Sequence, residues 1–227
     1  MRYLLLLLLM ALAVPSCMNE QEEPQVAIET AVSVILLTDD SLSDLFIRPD
    51  TGTLRKFLSP FLVHGLELSA VAVKNNSYKQ TVYYSGLLQV KTLPGSDNFI
   101  KNRRNKEENQ IRLAQAYQLL TPVLDTLQRK YVMAPRCDSS DVNNALKWVN
   151  IAAQNAVNKS NKVIVVLASD LVQDLIPYVQ ETAQPIHLPP GIQLVIIGQH
   201  PTVDFEQLFP GQRPMVLPSF QHLQRAF

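Results

Sequence analysis

The chain has little cysteine and no surplus of charge. Its 227 residues contain two cysteines, Cys17 and Cys137, which leaves room for one disulfide at most and excludes a covalently stapled scaffold. Lys plus Arg number 20, as do Asp plus Glu, so no net field gathers nucleic acid or an anionic membrane. Any partner is therefore chosen by a local site. Nothing marks a second domain. A chain that is 47% hydrophobic and 18% charged suits one sizeable α/β domain with its own core, preceded by a leader.

That leader reads Met1-Arg2, an apolar run from Tyr3 to Val14, then Pro15-Ser16-Cys17. It is too short for a spanning helix and has the layout of an export signal. Val14, Ser16 and Cys17 resemble the bacterial lipobox, with Pro15 departing from the pattern. The resemblance implies a signal peptide over 1–17, lipidation of Cys17 and attachment to a membrane of the cell envelope through that anchor. Residues 18–26, with Glu20, Glu22 and Glu23, suit an acidic tether that holds the following domain, 27–227, off the membrane. With Cys17 lipidated, Cys137 has no thiol to pair with. Cys137 beside Arg136 has the setting of an activated thiol, but an incidental loop residue is the simpler reading.

Apolar periodicity lays out the domain. A strand is expected from about Ala27 to Thr38 and a broken helix over Leu42 to Phe61, interrupted by a turn at Pro49-Asp50-Thr51-Gly52. Leu66 to Val73 and Thr81 to Val90 read as a hairpin around the polar stretch 74–80. A long helical pattern follows, with Leu113, Tyr117, Leu120, Leu124, Leu127 and Tyr131 on one face. Thr121-Pro122 leaves open whether it is one helix or two. The basic run Lys101 to Lys106 at its start is most simply a solvated face, because no aromatics interleave and Glu107-Glu108 follow at once.

Ser140 then stands where an N-cap belongs, ahead of a helix carrying Val142, Ala145, Leu146, Val149, Ala152, Ala153 and Ala156. Lys162 to Ala168 is a continuous β-branched run, the mark of a central parallel strand. Leu171 to Thr182 is expected as a helix with Leu175, Ile176 and Val179 inward, Ile192 to Gly198 as another buried strand, and Asp204–Leu208 and Ser219–Phe227 as short helices. Strands alternating with helices imply a doubly wound, mostly parallel α/β sheet with one antiparallel edge strand and helices on both faces.

Three strand or helix ends carry oxygen-bearing side chains: Asp39-x-Ser41-x-Ser43, Ser140 two residues before Val142-x-x-Ala145-Leu146, and Ser169-Asp170. In open α/β sheets such ends are where ligands bind. The first pattern resembles the opening line of the metal-ion-dependent adhesion site of von Willebrand factor type A (VWA) domains. The second resembles that family's metal-binding Thr, with Ser in its place, and the third its Thr-Asp-Gly, without the Gly. The resemblance covers roughly Ala27 to Gly198, with the long helical stretch between the first and second lines as an enlarged insertion. It implies a divalent-metal site formed by Asp39, Ser41, Ser43, Ser140 and Asp170. Mg²⁺ is the first candidate, with Mn²⁺ or Ca²⁺ as alternatives, and the site would bind a protein partner that donates an acidic side chain. No nucleic acid and no small-molecule cofactor are expected.

Two other readings use the same residues. A metal-free VWA-like scaffold in an envelope complex fits the missing Gly and the Thr-to-Ser change. Asp40-Ser41-Leu42-Ser43 also resembles the Gly-Asp-Ser-Leu opening of SGNH esterases, with Ser41 as nucleophile. That chemistry needs a His base oriented by an Asp. His187, His200 and His222 are preceded at the matching distance by Gln184, Ile197 and Ser219, and no Gly-x-Asn-Asp segment occurs.

Overall fold

A computed structural model describes residues 31–39, 49–74, 81–90, 93, 95–133, 140–159, 161–175, 179–198 and 203–225. The leader, Cys17, the tether and Cys137 lie outside the described residues. At the centre is β1 (Val32–Asp39), whose eight residues are all buried. Its apolar side chains alternate between two cores. Val34 and Leu36 join one cluster and Ile35 and Leu37 the other, as the two-residue period of a strand buried on both faces requires.

The strands β2 (Leu66–Val73), β3 (Thr81–Leu88), β4 (Lys162–Ala168), β7 (Gln193–Ile197) and β8 (Met215–Leu217) complete a six-stranded open sheet in the order β3-β2-β1-β4-β7-β8. All neighbours run parallel except β2 and β3, so β3 is the antiparallel edge strand. On one face lie α1 (Thr51–Leu58), a 3-10 turn (Ser59–Val63), α2 (Phe99–Met133) and a C-terminal 3-10 helix (Phe220–Arg225). The other face holds α3 (Val142–Asn158). This is the doubly wound, mostly parallel arrangement expected from the sequence. Because the chain leaves β1 for β2 on one side and returns to β4 on the other, the carboxyl ends of β1 and β4 flank the topological switch point.

Local chemistry explains the helix boundaries. The Asp50 carboxylate accepts from Thr53 N at 2.8 Å and caps α1, so the expected turn at 49–52 passes straight into a helix. α2 is one helix of 35 residues with Pro122 inside it. Its core face is shifted from the expected one. Ala116, Leu120, Val123, Leu124, Leu127 and Tyr131 are buried, whereas Tyr117 is 49% exposed. No residue of α2 before Ala116 is buried.

Two expectations fail. In place of a helix over 171–182, the described residues form β5 (Val172–Leu175) and β6 (Val179–Thr182), paired antiparallel outside the main sheet; 176–178 lie outside the described residues. Pro177, near the middle of that stretch, would remove a helical hydrogen bond and clash with the preceding turn, while Val172, Val179 and Thr182 favour strands. The extended segment after it buries Ala183, Ile186, Leu188 and Ile192 in the α3-side core, where the expected helix would have packed. The stretch between the two short C-terminal helices, where Pro210-Gly211 and Pro214 favour irregular chain, contains β8. It is three residues long with Met215 and Val216 about half exposed, too short and too wet to show a period in the sequence.

These placements separate two positions on α2. Leu124→Ala, at a fully buried site, is expected to cost about 2–5 kcal/mol. Ile100→Ala, at a position 78% exposed, should stay within roughly 0.5 kcal/mol. Urea unfolding of the two variants measures both.

Candidate functional site at the carboxyl edge of the sheet

The β1–β4 register pairs Thr38 with Ala168, which sets Asp39 level with Ser169 one step further on. Ser169 Oγ donates to Asp39 Oδ2 at 2.8 Å, and both residues are buried. The same hydroxyl oxygen accepts from Leu171 N at 3.0 Å. Asp170 Oδ1 accepts from Val172 N at 3.0 Å, and Ser140 Oγ donates to Val172 O at 3.0 Å. Ser140 and Asp170 are thus tied to opposite sides of one peptide residue. Asp141 N donates to Lys74 O at 2.8 Å, fixing the start of α3 to the end of β2.

Three of the five expected metal ligands, Asp39, Ser140 and Asp170, are therefore at one sheet edge, each hydrogen-bonded to the short turn 169–172. Ser41 and Ser43 lie outside the described residues. Ser140 does not serve as the N-cap of α3; Asp141 does, its carboxylate accepting from Asn144 N at 3.3 Å. The cap moves because Ser140 is already committed to Val172, and Asp141 is as good a capping residue. Leu171, where the resembling family carries Gly, keeps a left-handed backbone at φ 57° although its side chain is fully buried.

The donor set suits a hard divalent cation in kind. A hydroxyl that gives its proton to a carbonyl, as Ser140 does, still presents oxygen lone pairs, and a carboxylate accepts at about four sites. Asp170 has one carboxylate oxygen bound to a backbone amide. Among the described residues no group of three or more His, Cys, Asp or Glu side chains could hold a metal. The expected set has two carboxylates, the rest of its oxygens being hydroxyls.

The esterase reading finds little support among the described residues. His187 is exposed. His222 Nδ1 sits 3.0 Å from Ser219 Oγ in the C-terminal 3-10 helix, and neither ring has a carboxylate hydrogen-bond partner among the described residues.

A second polar cluster, missed in the sequence, closes the opposite end of the same strands. Glu67 accepts from Ser33 Oγ at 2.9 Å and Asn161 Nδ2 at 3.0 Å, and pairs with Lys159 Nζ at 2.6 Å. It ties the C-terminus of α3 to β1 and β2. Its four members are spread from position 33 to 161, so no local motif announces them. Burial alone would raise the Glu67 pKa, but the Lys159, Ser33 and Asn161 hydrogen bonds and the Lys159 charge outweigh it and hold the carboxyl below its ordinary value. Two open clefts flank α2. One, of about 590 Å³, is lined by Phe57, Phe61, Leu62 and Tyr117, and another, of about 690 Å³, by Val90, Ile111 and Leu119. Neither touches the carboxyl-edge residues.

No family model matches the sequence, and comparison with curated proteins finds no match. Among solved structures, the pilus adhesin SpaC from Lactobacillus rhamnosus GG, in its open conformation, aligns at 13% identity with a TM-score of 0.32. The alignment covers 64% of this chain and 15% of that one, so the chain spans about 15% of the adhesin's length.

Two measurements probe these clusters. Ser169→Ala removes a donor from a buried carboxylate and is expected to destabilise the fold by about 1–3 kcal/mol in urea unfolding. The Glu67 carboxyl has a folded pKa below its unfolded value near 4.5. Its stabilisation is therefore fully present above that pH and is lost as pH falls through the lowered folded value. Glu67→Gln should accordingly lower stability at neutral pH and flatten the acid limb of the stability curve, measured by unfolding between roughly pH 7 and 3.

Proposed function

We propose that the carboxyl edge of the sheet is a divalent-cation site that captures an acidic side chain of a protein partner, in a lipid-anchored protein of the cell envelope. One observation carries the reading: Asp39, Ser140 and Asp170, expected as ligands from three distant stretches of sequence, all make hydrogen bonds to the short turn 169–172 at the switch point of a doubly wound sheet. The strand order, with its antiparallel edge strand, is in keeping with the VWA resemblance. Ser41 and Ser43, two and four residues beyond Asp39, complete the proposed set.

Two carboxylates and three neutral hydroxyls supply little negative charge for a small divalent ion, which leaves a coordination position for an outside carboxylate. Each side chain has a separate task. Asp39 is held at the end of β1 by the Ser169 hydroxyl, Asp170 is oriented by the Val172 amide, and Ser140 is aimed by its bond to the Val172 carbonyl. Cys17 places the domain on a membrane, with the acidic tether between them. Mg²⁺ is the proposed ion, and Mn²⁺ or Ca²⁺ are the substitutes to compare.

Melting with and without metal tests the reading. At a free concentration about 100-fold above Kd, binding to the folded state alone adds about 2.7 kcal/mol, a rise of roughly 5–10 °C in a domain of this size. The rise is expected with Mg²⁺ or Mn²⁺, reversed by chelator and absent in Asp170→Ala. Equal melting of the wild-type chain in metal and in chelator rejects the cation and leaves a metal-free interaction scaffold.

A further inference from the structure

The first turns of α2 are built against helix stability, and that conflict points to a second contact surface. Asn98 caps the helix, its side-chain oxygen accepting from Ile100 N at 3.0 Å and Lys101 N at 3.2 Å. Immediately inside the cap, Phe99 is 79% exposed and Ile100 78% exposed. Lys101, Arg103, Arg104 and Lys106 follow, with no acidic residue in the first turn. Cations at a helix N-terminus face the positive end of the macrodipole and destabilise it. Arg103 pairs with Glu107 at 3.2 Å, in the less favourable order of charges, while Lys101, Arg104 and Lys106 have no ion pair among the described residues.

The same segment contributes nothing buried to the core, which α2 reaches only at Ala116. At about 100° per residue, positions 99, 100, 103, 104 and 111 share one side of the helix, away from the side that Ala116 and Leu120 turn to the core. That side presents Phe99, Ile100 and Ile111, all more than half exposed, between two arginines. Two large apolar side chains at a helix end, ringed by cations, match an interface of opposite charge with an apolar layer beneath it.

We propose that the N-terminal turns of α2 form a peripheral membrane contact, in which Phe99 and Ile100 enter the headgroup layer of anionic phospholipid and Lys101, Arg103, Arg104 and Lys106 meet its phosphates. The contact lies on the surface. Among the described residues no helix is long and apolar enough to cross a membrane. The balanced total charge does not oppose it, since attraction to a charged surface fades within a Debye length, about 8–10 Å at physiological salt. The proposal does not depend on the cation site, whose residues belong to other elements.

Because Trp148 is the single tryptophan, a local reporter can be installed in the full chain: Phe99→Trp with Trp148→Phe. Mixed with vesicles of brominated phosphatidylglycerol, the tip tryptophan is expected to shift to shorter wavelength and be quenched. Pure phosphatidylcholine vesicles carrying the same bromine label should leave it unchanged. Adding Lys101→Glu and Arg104→Glu should raise the lipid concentration needed for half-maximal quenching by at least about fivefold for each cation removed, while the melting temperature holds or rises because the new charges suit the helix dipole. A purely structural role for these cations predicts the reverse, a lower melting temperature and unaltered emission. Emission that ignores the anionic vesicles, that responds equally to both lipids, or that responds to an acidic polypeptide and not to vesicles overturns the proposal.

Discussion

Complete burial of β1 on both faces is the constraint from which the rest of the arrangement follows. A strand with apolar side chains on both sides, each core residue worth about 1.5–3 kcal/mol when removed from water, needs a helical layer above and below. It also needs parallel neighbours on both edges, here β2 and β4. Polar groups are then tolerated only at its ends, because an unsatisfied one in the middle would cost several kcal/mol. That is where they occur. Ser33, near the start, belongs to the Glu67, Asn161 and Lys159 cluster, and Asp39, the last residue, receives the Ser169 hydroxyl.

The two ends are different in kind. At the start of the strands the Glu67 carboxylate meets a lysine at 2.6 Å and is partly open to water, an arrangement that joins three elements. At the carboxyl end the Asp39 carboxylate is buried and accepts from the Ser169 hydroxyl. The first end fastens α3 to β1 and β2, and the second joins the last residue of β1 to the turn that follows β4.

Periodicity made the sheet legible because β1, β2, β4 and β7 are long and buried, and their apolar runs have no competing period. The stretch 171–182 invites a helical reading because Leu175, Ile176 and Val179 mimic a helical stripe, which Pro177 opposes. β8 carries too few residues to show any pattern. Asp39, Ser140 and Asp170 were legible because each stands at the end of a strand or the start of a helix, where a change from apolar to polar is itself a signal. Ser169, which holds Asp39, could have been found on the same ground, as the residue just before Asp170. Glu67, Ser33, Asn161 and Lys159 could not, since only strand register brings them together.

Leu171 shows how this loop keeps its shape without glycine. A left-handed backbone costs a non-glycine residue roughly 1–2 kcal/mol, and the chain adopts it where a buried leucine side chain returns about 1.5–3 kcal/mol. The two effects coincide at one residue, whose side chain lies in the α3-side core while its backbone is left-handed. Glycine would permit this conformation among others; a buried leucine demands it. The residue before it is Asp170 and the one after it is Val172, whose amide and carbonyl hold Asp170 and Ser140. Packing beneath the loop thus fixes the spacing of both oxygen-bearing side chains above it, and the rigidity of the carboxyl edge is set by the core rather than by the loop's own freedom.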